Sequence, residues 1–194
     1  MKYLLPLVLF LSVSGAAMAG TTAEATVENL HAHLLEAMQG GDSLGYSGRH
    51  DLLAPVIEGS FDFETIASIV TGRAWKTASA EQRAAFLDTF DALSVATYAT
   101  NFSGYDGERF ETRDSEDSRG SRIVRTVLVK SDGDEITLNY MLRETNGDWR
   151  IINVVAQGVS DLSLKRAEYT AVIESEGFDS LVRRLREKVS EMAH

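Results

Sequence analysis

The chain contains no cysteine. That excludes a disulfide framework, a thiol nucleophile and any cysteine-ligated zinc, so packing alone must hold the fold. Histidine is scarce and scattered: His31, His33, His50 and His194 form no cluster, and no H-E-x-x-H, phosphate-cradling glycine loop or serine elbow is present. His31 and His33 stand two apart on a helical segment, point to different sides, and are read as surface residues. Basic charge is short as well. Lys and Arg number 19 against 29 Asp and Glu, a net charge of −10, which disfavours nucleic acid or anionic lipid headgroups as partners through bulk electrostatics. Long apolar runs are missing after the first twenty residues, so no membrane span is expected. The acidic "SDGDE" lacks the alternating ligands and distant glutamate of a calcium loop and reads as a hairpin turn. No metal, cofactor or catalytic residue is expected.

What is present begins with "MKYLLPLVLFLSVSGAAMA". Lys2, the apolar run from Leu4 to Val13, and Ala17-Met18-Ala19 have the order of a secretion signal with a small-x-small cleavage site. The expectation is a signal peptide over 1–19 and a single domain over 20–194, long enough to bury a sizeable core.

Helical periodicity comes first. Val27, Leu30, Leu34, Leu35 and Met38 form one stripe, ended by Gly40-Gly41. Leu52, Leu53, Val56 and Ile57 make a shorter face. Asp62 is placed to cap a helix with Ile66, Ile69 and Val70 inward, and Gly72 to stop it. Ser79 and Gln82 form a capping box for a long helix carrying Phe86, Phe90, Leu93, Thr97 and Tyr98. The period then changes. "RIVRTVLV", "EITLNYML" and "WRIINVVA" are β-branched and partly alternating, joined across Asp132-Gly133 and Asn146-Gly147, dipeptides suited to tight hairpins. "ERFETRD" adds a polar edge strand. One face of this four-stranded antiparallel meander is expected to carry Val127, Val129, Ile136, Leu138, Tyr140, Leu142, Trp149, Ile151 and Val155. Two helices follow, one from about Leu164 to Glu176 and one capped by Asp179 with Leu181, Leu185, Val189 and Met192 inward. Helices, then strands, then helices indicate an α+β fold with helices against a curled sheet.

Three surface features carry charge. "ERFETRDSEDSRGSR" mixes both signs and reads as a solvated strand and loop. Arg183, Arg184, Arg186 and Lys188 suit a helix near its end. Lys165 and Arg166 sit beside an expected helix start, where the helix dipole does not favour cations, and are candidates for contacting an anionic headgroup or a partner. The aromatic residues Phe61, Phe63, Trp75, Phe86, Phe90, Tyr98, Phe102, Tyr140 and Trp149 gather where helix and sheet faces would meet, as a filled core or as the walls of a hollow one; periodicity does not distinguish these.

Two long motifs resemble one family. "FDFETIASIVTGRAWKTASAEQRAAFLDTFDALSVATYATNFSGY" is similar to the F-D, short helix, G-x-x-W, Q-R-x-x-F and Thr-Tyr-Ala order of the MlaC-like periplasmic lipid-binding (toluene-tolerance) proteins. "WRIINVVAQGVSDLSLKRAEYTAVIESEGFDSLVRRLREKV" resembles its second signature, with "GVSDLSLKRAEY" closer to the hopanoid-associated HpnM branch. The resemblance implies a cone-like sheet of the cystatin or nuclear-transport-factor kind wrapped by helices. It further implies acyl tails in the apolar space between them, a phospholipid or hopanoid ligand, and transient docking to inner- and outer-membrane lipid-transport complexes. On that footing the expected tail contacts are Ile66, Ile69, Trp75, Phe86, Phe90, Leu138, Tyr140, Trp149, Val155 and Val159, with Lys165 and Arg166 near the headgroup or partner. A cone-shaped enzyme with a buried ionisable group and a solid, cavity-free interaction module are the competing readings.

Overall fold

The structure, a computed structural model, describes residues 21–192; the expected signal segment lies outside the described residues. Thr22 accepts a hydrogen bond from the Ala25 amide (3.1 Å) and opens helix α1, Ala23–Ser60. The helix breaks where the glycines predict it should: Gly41 and Gly45 have φ of 38° and 60°, a region costly for other residues. The broken turn is held by the buried Arg49. Its Nε donates to Ala99 O (2.8 Å) and its Nη1 to Gly41 O (2.9 Å), satisfying carbonyls that have lost helical partners. Asp62 caps α2, Phe63–Thr71, accepting from the Thr65 amide (2.9 Å) and also from the Thr145 hydroxyl (3.0 Å). Gly72, with φ of 58°, turns the chain into the one-turn helix α3, Arg73–Thr77, and the Ser79–Gln82 capping box starts α4, Ala80–Asn101.

The sheet runs β1 Arg109–Ser118, β2 Ser121–Val129, β3 Glu135–Thr145 and β4 Asp148–Ala156, all antiparallel neighbours, and gains a two-residue β5, Val159–Ser160, at its edge. The expected meander is thus present with a short fifth strand. It is an unclosed, curled antiparallel sheet flanked by helices, an α+β fold. Asn146-Gly147 is a two-residue turn with both φ positive, matching the right-handed strand twist. Arg119-Gly120 and Gln157-Gly158 make equivalent turns.

Register overturns the expected single face. Val124, Thr126 and Leu128 pair with Tyr140, Leu138 and Ile136. Val127 and Val129 therefore lie on the opposite face, opposite Thr137 and Glu135, because adjacent strand residues alternate sides. In β4 the alternation itself slips. Leu142 pairs with Ile151 and Met141 with Asn153, so one extra residue, Ile152, bulges the strand. Beyond it Val154 and Ala156, not Val155, share the face of Tyr140 and Leu138.

The last helices are α5, Asp161–Glu176, and α6, Phe178–Met192. Helix α5 starts earlier than expected, capped by the Ser160 hydroxyl accepting from the Ser163 amide (3.2 Å). Lys165 is consequently in its second turn, paired with Asp161 one turn back, which removes the apparent conflict with the helix dipole. Asp179 lies within the first turn of α6 rather than capping it. One buried cluster draws on α1, α2, α4, α5, α6 and the inner sheet face. The mixed-charge run is solvated as expected. Arg122 Nε donates to Glu24 (2.6 Å), tying α1 to the sheet, and Arg122 and Arg125 bridge to carboxylates of β1. Among the described residues, no helix is long and apolar enough to cross a membrane.

Candidate functional site

The inner sheet face is packed at one end and hollow at the other. At the end of Trp149, Ile151 and Leu142 it is closed: Thr26 Oγ1 donates to Trp149 O (2.9 Å), the Asp62 amide donates to Ile151 O (3.0 Å), and Ile151 and Leu142 are fully buried. Toward Leu138, Val154 and Ala156 the helices stand off. The gap is a cavity of about 520 Å³ between β3 and β4 on one side and α2, α4, α5 and α6 on the other. That falls within the roughly 300–1,000 Å³ of small-molecule sites.

Its wall is mostly apolar: Phe61 and Phe63 at the start of α2, Ile66 beneath them, Phe90 and Leu93 from α4, and Leu138, Ile152 and Val154 from the sheet. The aromatic rings brace one another. Phe61 stacks on Phe63 (5.8 Å) and meets Tyr98 (5.8 Å), while Phe63 stands edge-on to Phe90 (5.8 Å). The rim is polar and opens to solvent: Asn101, Asp161, Lys165, Glu168 and Lys188 line the cavity, with Leu164 beside them 59% exposed. Lys188 pairs with Glu168 (2.8 Å) and Lys165 with Asp161, so the mouth carries both signs of charge.

Of the expected tail contacts, Ile66, Phe90, Leu138 and Tyr140 lie on this wall, and Lys165 lies on the rim. The others are elsewhere. Phe86 is fully buried behind the wall, stacked on Phe90 (5.5 Å). Trp75 packs edge-on against Phe86 (6.1 Å), with the Arg83 guanidinium 5.7 Å over its ring; it props the α3–α4 corner outside the cavity. Ile69 lies on α2 away from the wall, Trp149 at the closed end, and Val155 on the outer sheet face. Val159 is 52% exposed on β5. Arg166 points toward Gly72 rather than the mouth. Sequence reasoning did not single out Leu93, Ile152, Val154, Leu164, Tyr169 or Lys188 as wall or rim. Leu93 and Tyr169 carried a periodicity signal; Ile152 and Val154 were hidden by the bulge.

His31 corrects the surface reading. It is 4% exposed, stacked on Phe110 (3.9 Å), with Nε2 3.0 Å from the Tyr140 hydroxyl. Burial pulls its pKa down to about 4, so the ring is neutral. Burial likewise raises the Tyr98, Tyr140 and Tyr169 hydroxyls above the ordinary phenol range. Groups of His, Asp and Glu able to hold a metal ion are absent among the described residues. The arrangement suits enclosure of an apolar body with a polar end at the mouth.

The family model described as MlaC protein matches residues 28–187. The intermembrane phospholipid transport system binding protein MlaC of Haemophilus influenzae is 26% identical over 148 residues, 74% of this chain and 67% of that protein. A solved phospholipid-binding protein of Ralstonia solanacearum, in complex with a phospholipid, has the same fold. Its TM-score is 0.79 at 22% identity, covering 90% of this chain and 100% of that one.

Proposed function

This chain belongs to the MlaC family, and on that premise we propose that it is a periplasmic lipid carrier. It holds the acyl tails of a phospholipid in the cavity between β3–β4 and the helices, and hands the lipid between inner- and outer-membrane complexes by transient docking. Residues 1–19 act as its cleaved signal peptide and 20–194 as one lipid-binding domain. The observation that carries the reading is the cavity itself: an apolar, aromatic-walled space whose exposed rim holds both lysines and carboxylates. A solid interaction module has no use for such a space.

The energetics agree. Burying one methylene is worth about 0.8 kcal/mol, so two tails of about 30 methylenes resist escape into water by roughly 20 kcal/mol before association costs. Release then requires docking, where tails pass from one apolar surface to another. The chemistry needs no catalytic group. The neutral His31 is engaged with Tyr140 behind the wall, and the carboxylates Asp161 and Glu168 at the mouth are paired with lysines, an arrangement that supports holding a ligand.

The test is protein purified without detergent, examined by native mass spectrometry and by lipid extraction. The expected result is a bound lipid of stoichiometric amount, and its identification separates phospholipid from hopanoid. Protein that is lipid-free and inactive in vesicle-to-vesicle transfer would overturn the reading.

A further inference from the structure

Three tyrosines line the cavity, and their hydroxyls are used differently. Tyr140 turns its hydroxyl out of the cavity to His31. Tyr98 and Tyr169 line the same cavity but take no protein partner for their hydroxyls among the described residues, and neither hydroxyl is sealed away from solvent. Tyr169 is 2% exposed as a residue, so its ring is packed while its hydroxyl faces the cavity, where water satisfies it until an apolar ligand displaces that water and leaves the donor in need of a partner.

Position indicates what the hydroxyls await. Asp161, Lys165 and Tyr169 follow at i, i+4 and i+8 on one face of α5, so Tyr169 lies below the charged rim. Its ring meets Phe90 on the wall and Phe86 behind it, both at 6.2 Å, so one turn along α5 from the rim residue Lys165 the chain already belongs to the apolar wall. Tyr98 lines the same cavity from α4, three residues before the rim residue Asn101 and against Phe61. The Asp161 carboxylate is close enough to both phenols to raise their pKa values further.

We infer that Tyr98 and Tyr169 form a hydrogen-bonding collar that receives the ester carbonyls of a glycerolipid, so that the cavity prefers ester-linked diacyl lipids to ether-linked or fused-ring lipids of similar apolar bulk. The inference rests on the carrier reading. In a glycerolipid the two ester carbonyls lie between headgroup and tails, the level at which these two donors stand. An ether oxygen is a poorer acceptor, and a fused-ring hydrocarbon offers none.

The experiment is competition between dipalmitoyl and dihexadecyl phosphatidylethanolamine, mixed equally in vesicles, with uptake read by native mass spectrometry. A neutral hydrogen bond favours its partner about fivefold. Wild type should therefore take up the ester lipid at least tenfold over the ether lipid. Tyr98→Phe and Tyr169→Phe should each reduce that ratio several-fold, and the double variant should bring it near one, with melting temperatures close to wild type. Equal uptake by wild type, or an undiminished preference in the variants, overturns the collar while leaving the carrier reading intact. Uptake of neither lipid by wild type overturns both. Should the double variant fail to fold, the single variants decide by the same ratio.

Discussion

Leu138→Glu tests the placement of the cavity most directly. Leu138 lies on the inner face, paired with Thr126 and Ala156 and lining the hollow end of the sheet. With the cavity empty, a glutamate there reaches water through the mouth and is ionised at its ordinary pKa near ~4.3, so the fold should survive. A lipid tail replaces that water. Burial raises a carboxyl pKa by up to about 3–5 units; taking about 3, at 1.36 kcal/mol per unit, loading is opposed by about 4 kcal/mol, close to a thousandfold at pH 8. The sign is fixed by which state binds the proton. The loaded form has the raised pKa, near ~7, so the penalty is full above that value and shrinks as pH falls toward ~4.3. Lipid occupancy of Leu138→Glu should therefore be near zero at pH 8 and recover at pH 5, while Leu138→Gln shows no such dependence. Val159→Glu, at an exposed position on β5, should load like wild type at both values. Occupancy of Leu138→Glu within threefold of wild type at pH 8, without pH dependence, would refute both the assigned wall and the burial argument.

Three further outcomes follow from the same geometry. Arg49→Met leaves one buried and one half-buried carbonyl without their charged donor, and at about 1.5–3 kcal/mol for each such bond should cost about 3–6 kcal/mol in urea unfolding; a loss under 1 kcal/mol would show the arginine to be dispensable. His31, with its pKa depressed from 6.5 to about 4, contributes stability that is full above pH 6.5 and lost as pH falls toward 4, about 3 kcal/mol in all. His31→Gln should flatten the decline between pH 6.5 and 4.5, above the range in which Glu24, held near 2 by the Ser115 hydroxyl and Arg122, begins to matter; an unchanged slope would remove His31 as the cause. Trp75→Ala should cost about 2 kcal/mol of stability with lipid loading intact, since the indole lies outside the cavity, and lost loading in a folded variant would place it on the wall.

The elements that were legible in the sequence are those whose signals are local. Asp62 and the Ser79–Gln82 pair satisfy amides three residues away, and Asn146-Gly147 needs no distant partner to favour a tight turn. Arg119-Gly120 makes the same kind of turn but was not legible, because arginine has no preference for positive φ and only the pairing of β1 with β2 imposes it. The start of α5 was misplaced for a related reason: Ser160 is both the end of a two-residue strand and a helix cap, and the strand exists only because β4 is there to pair with it. His31 looked like a surface residue on spacing alone. Its burial depends on Tyr140 and Phe110, which are 109 and 79 residues away and arrive with the sheet.

The site was half legible because a cavity wall is a property of parity as well as composition. Along α2 and α4 the period of 3.6 is uninterrupted, and Ile66 and Phe90 come out on the wall as the stripes predict. Along β4 the two-residue period fails at one point. Before the bulge, Trp149 and Ile151 face inward at the closed end; after it, the inward set is Val154 and Ala156, and Val155 is turned out. A register shift of one residue exchanges every side chain between faces, so a count of two from Ile151 puts Val155 on the inner face where the structure places Val154 and Ala156. Without the bulge, Val155 would stand opposite Leu138 at the mouth end and Ala156 would face away. The extra residue thus leaves an alanine on the inner face beside Leu138, and with it the room between sheet and helices that the carrier reading requires.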